Sequence, residues 1–341
     1  MKIIRIKPMS FRLDVLNPYI ICFHHNDLFP KGKPDMSPIE YLPGRNPNGD
    51  FDLEADWRMY YGDKIPGFPV HPHRGFETIT VVTSGYADHF DSKGSKGRYG
   101  EGDVQWMTAG KGIQHSEMFP LINEDKENHL ELFQIWLNLP RKSKMVEPSY
   151  KMLWSEDIPL VEINNGHGKA LVKVLAGEFN GVISLDPTPH SWAYDRKNNV
   201  RILLIELEQS ASLTLNAVSS TISRMLYAYS KNGAKVDIEG TILKEGHYAQ
   251  LKGDEEIEIK NTSGRPIQLL LLEGEPINEP ISAHGPYVMN SREEIIQAFK
   301  DYEETQFGGW PWKQTDPVNS KEDKRFASYD HANEVQYPEK Q

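Results

Sequence analysis

Cysteine is all but missing. Cys22 is the only one in 341 residues, so no intrachain disulfide can form, and a reducing compartment, the cytoplasm, is expected. Long apolar runs are missing too. No stretch reaches the roughly eighteen residues of a membrane-spanning helix, so no membrane association is expected. Met1 to Arg12 alternates charged and apolar residues, without the unbroken apolar core of a signal peptide. Positive charge is in deficit: 38 Lys and Arg face 49 Asp and Glu, a formal net charge of −11. Phosphate recognition needs a basic surface, so no direct nucleic-acid binding is expected. The cations between Lys93 and Arg98 lie among glycines and read as a solvated loop. Also absent are a G-x-S-x-G nucleophile elbow, a G-x-x-x-x-G-K-[ST] phosphate loop and a dinucleotide fingerprint.

What is present is turn-rich and strand-rich. The chain holds 26 Gly and 23 Pro. Phe76 to Thr83, Leu130 to Leu139, Val200 to Leu207 and Pro266 to Leu272 are short apolar or alternating runs bounded by Gly, Pro or Asn. That period-two pattern, in both halves, predicts an all-β fold of barrels or sandwiches. One helix is expected after the last strand. Ser291 and Glu294 have capping-box spacing, Ile295, Ile296, Phe299 and Tyr302 share a helical face, and Gly308 reads as the stop. A boundary is expected between residues 140 and 165. The tail from Lys313 to Gln341 is polar and reads as extended or disordered, with Trp310 and Trp312 able to pin its start.

The chemistry concentrates in two short segments. His71 and His73 flank Pro72 just before the Phe76 strand, and strand alternation points both imidazoles the same way. His115 and Glu117 repeat that spacing after the glycine-rich turn Thr108 to Gly112. If the two segments are neighbours, three imidazoles and one carboxylate converge. Such a thiolate-free set suits iron, manganese, nickel, cobalt or copper; zinc more often takes closed sites with cysteine. Glu77 is a competing carboxylate, placed by alternation on the same face as His71 and His73. Its other reading is a hydrogen-bond partner of a ligating histidine. His24 and His25 read as residues of a pocket mouth. His89 and the other histidines of this half and the next show no paired spacing, so the second half is expected to hold no metal. Trp106, Met107, Phe119 and Trp136 are candidates for a pocket wall, or simply core.

Three stretches resemble the pirin family of cupins. They are Pro69 to Thr78, Gly102 to Met118, and Gly274 to Asn290 with the helix that follows. The resemblance covers roughly residues 1 to 310 and leaves the tail outside it. It implies two tandem cupin barrels with a C-terminal helix: residues 1–145 as the metal-binding domain, 146–309 as a metal-free cupin, and 310–341 as a tail. It implies Fe(II) held by His71, His73, His115 and Glu117, placing Glu117 ahead of Glu77. Thr108 stands where many other cupins have proline.

The resemblance further implies one of two roles. The first is a quercetin 2,3-dioxygenase-type enzyme acting with O2 on a flavonol-like enol, with Glu117 as the catalytic proton acceptor. The second is a metal-dependent regulator that binds a protein partner, either a transcription factor or a metabolic enzyme. A binding pocket is required only by the first.

Overall fold

A computed structural model of the chain describes residues 2–40, 49–164, 166–329 and 331–339. All four strand runs read from the sequence form strands: Phe76–Ser84, Asn128–Asn138, Arg201–Leu207 and Ile267–Gly274. Strands dominate the chain, and Arg292–Thr305 is the α-helix among the described residues.

By packing, the chain forms two units, each joining separate stretches of sequence. One unit joins Met1–Cys22 to Asp157–Asn278; the other joins Phe23–Glu156 to Glu279–Gln341. The two chain ends are exchanged because each completes a sheet at a distance in sequence. Ile3–Pro8 pairs antiparallel with His247–Leu251. Phe326–Tyr329, in the tail, pairs antiparallel with Lys96–Gly100. Composition reports polarity, but these segments dock through main-chain hydrogen bonds, which composition does not reveal.

In the unit that includes Asp157–Asn278, a seven-stranded sheet faces a four-stranded one, Ser212–Leu215, Ile257–Asn261, Lys235–Ile238 and Thr241–Lys244. Its interior is aliphatic. Val172, Leu203, Ile205, Leu226, Val236, Ile259 and Leu271 belong to one cluster with almost no solvent exposure. Each such side chain contributes about 1.5–3 kcal/mol by leaving water.

The other unit carries the histidines. One of its sheets runs in the order Ser149–Leu153, Val104–Thr108, Phe76–Ser84, Asn128–Asn138. A second runs Glu334–Gln336, Phe326–Tyr329, Lys96–Gly100, Tyr86–Asp91, Ile113–Met118, Gly67–His73. The tail is therefore partly ordered on this sheet. Arg98, fully buried and paired with Asp88, donates to the carbonyls of Asn319, Ser320 and Asp323. Trp312 pins the start of the tail by donating from Nε1 to the Asp91 carbonyl at 2.8 Å, whereas Trp310 bonds locally to Gln314. Tail positions 330, 340 and 341 lie outside the described residues.

The helix begins as read. Ser291 Oγ accepts from Glu294 N, and the Glu294 carboxylate accepts from Ser291 N. Its packed face differs from the expectation by one position. Ile295 and Ala298 are buried, Phe299 and Tyr302 pack beside them, and Ile296 is 47% exposed. Its stop also comes earlier than Gly308, since Gln306 caps the helix in a left-handed conformation.

Candidate metal centre

Gly67–His73 is the outermost strand of its sheet. That edge position tolerates Pro69 and Pro72, which have no N–H to give to a ladder. Its inner neighbour is Ile113–Met118, with His71 opposite His115 and Phe68 opposite Glu117. A bulge between Phe68 and His71 lets both alignments hold. Gly112, at φ +137, directly precedes the inner strand, and a β-carbon there would sit 2.6 Å from the Phe307 ring. The glycine turn read from the sequence therefore has a steric cause.

The three histidines converge. Ring centroids lie 4.8 Å apart for His71–His73, 4.4 Å for His71–His115 and 4.9 Å for His73–His115. Each offers one ring nitrogen, and all three nitrogens lie within 4.8 Å of one another. His71 Nδ1 is 2.8 Å from the Pro69 carbonyl, which can only accept, so Nδ1 carries the proton and Nε2 keeps its lone pair. His73 Nδ1 faces the Pro286 carbonyl at 3.4 Å in the same sense. His115 is fully buried, and neither of its ring nitrogens has a hydrogen-bond partner. An unpartnered buried polar atom costs about 1–3 kcal/mol, which a bound cation would offset. Burial pushes His71 below the usual histidine range. It pushes His73 and His115 well below, with neighbouring imidazoles adding to the effect. All three rings are thus held in the neutral form that ligates. The residues fit a late first-row transition ion.

Glu117 lies beside this trio. Its Oε2 is 3.9 Å from His115 Nε2. Thr80 donates to Oε1 at 2.9 Å, Gln134 Nε2 donates to Oε2 at 3.1 Å, and the Tyr99 hydroxyl lies 3.4 Å from Oε1. Burial raises its carboxyl above the usual range, against the pull of His89 and these hydrogen bonds. The competing carboxylate, Glu77, goes elsewhere. Gly75, at φ +86, breaks the run after His73, and Phe76 opens a strand of the other sheet. Alternation does not carry through that break. Glu77 Oε1 instead accepts from Trp106 Nε1 at 3.1 Å and Thr108 Oγ1 at 2.8 Å.

The remaining expectations divide. Trp136 meets His73 edge-on at 5.3 Å, so it borders the centre. Trp106 and Met107 are fully buried core, and Phe119 joins an aromatic group with Tyr60 and Phe68. His24 is engaged with Glu131 at 3.0 Å, and His25 is buried among those aromatics. Sequence reasoning passed over His89. Its strand flanks Ile113–Met118 on the other side, with His89 opposite Glu117 and Asp91 opposite His115. Its ring lies 5.6 Å from His115, stacks on Tyr150, and its Nε2 is 3.2 Å from Asp91 Oδ2. The missed signal was His-x-Asp, the same alternate spacing that singled out the other two pairs.

The sequence signature of the pirin family, described as Pirin, matches residues 49–137, and its Pirin C-terminal cupin domain matches residues 202–308. A pirin-like protein of Solanum lycopersicum is 37% identical over 241 residues, spanning 70% of this chain and 75% of that protein. The chain belongs to the pirin family. A Pseudomonas aeruginosa pirin relative, named as an inferred quercetin 2,3-dioxygenase, is 37% identical over 71% of this chain and 79% of its own length. The crystal structure of quercetin 2,3-dioxygenase from Acinetobacter baumannii superposes with a TM-score of 0.69. It is 25% identical, with 90% of this chain and 98% of that one covered. The pirin fold of two cupin domains is therefore that of this chain. No helix among the described residues is long and apolar enough to cross a membrane.

Proposed function

We propose that the chain is a metal-dependent dioxygenase of the quercetin 2,3-dioxygenase type, opening a flavonol-like enol with O2. The observation that carries this reading is the convergence of the His71, His73 and His115 ring nitrogens, with those of His115 buried and unbonded. The named relatives supply the substrate class. His71, His73 and His115 would hold the ion, with Glu117 as the fourth donor, and iron(II) is the proposed metal. When bound, such an ion supplies Lewis acidity toward a substrate hydroxyl and a redox contact for O2. Glu117 would take the enol proton at a carboxylate oxygen on loosening from the ion, and the bonds from Thr80 and Gln134 to that carboxylate support this role. Trp136 borders His73 and would give a planar substrate an aromatic neighbour. The buried Cys22 thiol accords with a cytoplasmic location.

The test is aerobic turnover of quercetin by iron-loaded protein beside the His73→Ala variant. Loss of the substrate absorbance in the parent alone supports the enzyme. A fully loaded parent that consumes no quercetin moves the reading to the alternative, an iron-dependent regulator of a protein partner.

A further inference from the structure

One cleft is lined only by residues of the unit that includes Asp157–Asn278. It measures about 280 Å³, and Arg201 lies in its lining. Arg201 is only 9% exposed. Its Nε and Nη2 both donate to Glu273 Oε1. Its Nη1 donates no hydrogen bond among the described residues.

The group beneath the cleft is a shared ion pair. Glu273 is fully buried and also accepts from Arg224 Nε. The other Arg224 nitrogens are used on the carbonyls of Asn216, Lys252 and Glu255. Two guanidinium groups therefore face one carboxylate beneath the cleft, and with Arg196, Asp186 and Glu178 of its lining these six groups balance in charge. A guanidinium fork suits a carboxylate, and Nη1 is the Arg201 donor left open after its two bonds to Glu273. At the rim, Arg196 is 3.6 Å from Asp186, and Glu178 adds a negative charge that disfavours a dianion. Tyr194, Val200 and Val218 give the same cleft an apolar wall. Its size suits a ligand of about ten non-hydrogen atoms.

The geometry points to a binding site for a small monoanionic carboxylate, with its carboxylate on Arg201 Nη1 and its apolar body against Tyr194, Val200 and Val218. The probe is 4-fluorobenzoate, followed by fluorine NMR on the full metal-loaded chain. Saturable binding is expected. Arg201→Gln weakens it about tenfold or more, the loss of one charge-assisted hydrogen bond. Val218→Glu, at a position 37% exposed, does the same without touching the Arg201–Glu273–Arg224 group. If Arg201→Gln fails to fold, Val218→Glu decides. His73→Ala retains binding, and 4-fluorobenzamide and inorganic phosphate do not compete. The inference is overturned by wild-type affinity in either cleft variant. Displacement by equimolar phosphate, or loss of binding in His73→Ala alone, overturns it too; the last result would place the probe at the histidines.

Discussion

At the scale of single residues, the centre turns on which carboxylate serves it. Glu117 lies 3.9 Å from His115 Nε2, whereas Glu77 is tied to Trp106 and Thr108. Glu117→Gln is expected to lower metal affinity about tenfold or more and to abolish turnover, since even outer partners of a metal site carry effects of that order. Glu77→Gln should leave metal content unchanged and lower the melting temperature. Metal titration of the two variants separates them, and the reverse pattern would exchange their roles. The three histidines were legible because alternate spacing survives within one strand. Glu117 shared that advantage, whereas the placement inferred for Glu77 extended the same rule across Gly75, where the strand breaks. Thr80, Gln134 and Tyr99, which hold Glu117, left no signal, because they come from strands whose pairing the sequence does not state.

Lys144 offers a test of buried charge. It is 1% exposed and donates to Gly75 O, Asn138 Oδ1 and Val288 O. Burial pulls its pKa from 10.5 down to about 8. Between those values the unfolded chain holds a proton that the folded chain has released, so this group makes stability rise with pH from about 8 to 10.5. Its cost is fully present below pH 8. Relative to Lys144→Met, the parent should therefore gain up to about 3 kcal/mol across that window. Denaturant unfolding of both proteins at pH 7.5 and pH 10 measures it, and parallel pH profiles would contradict it.

At the scale of elements, glycine positions decide where strands stop. A β-carbon on Gly75 would lie 2.1 Å from the Val288 carbonyl oxygen, at φ +86. Gly75→Ala is expected to cost more than about 2 kcal/mol. Gly166→Ala, at φ +80 with nothing within 4 Å, carries only the backbone strain of about 1 kcal/mol. Thermal denaturation of the pair checks this, and equal shifts would show that the close approach at Gly75 matters little. The strands and the helix start were readable from periodicity and from Ser291 and Glu294. The helix face was less so, because Ile296 and Ile295 are adjacent and only packing decides which one turns inward.

At the scale of the whole molecule, each chain end packs with a unit whose other residues lie far along the sequence. Ile3–Pro8 and Phe326–Tyr329 both find their partners far along the chain. No composition window reports a pairing of that kind. Ending the chain after Gly309 removes the carbonyls that serve Arg98 and the Thr315 carbonyl that accepts from Val70 N at 2.7 Å. Hydrogen exchange should then lose protection in Lys96–Gly100 and at Val70, while Ile267–Gly274 keeps its own. Unchanged protection at the first two would contradict the ordering role given to the tail.

The most direct measurement is elemental analysis of the purified full-length chain beside His73→Ala, each loaded with iron(II) and desalted. One transition-metal ion per parent chain, and about a tenth of that or less in the variant, is the expected result. A parent that retains no metal, or a variant that retains as much as the parent, would contradict the three-histidine centre.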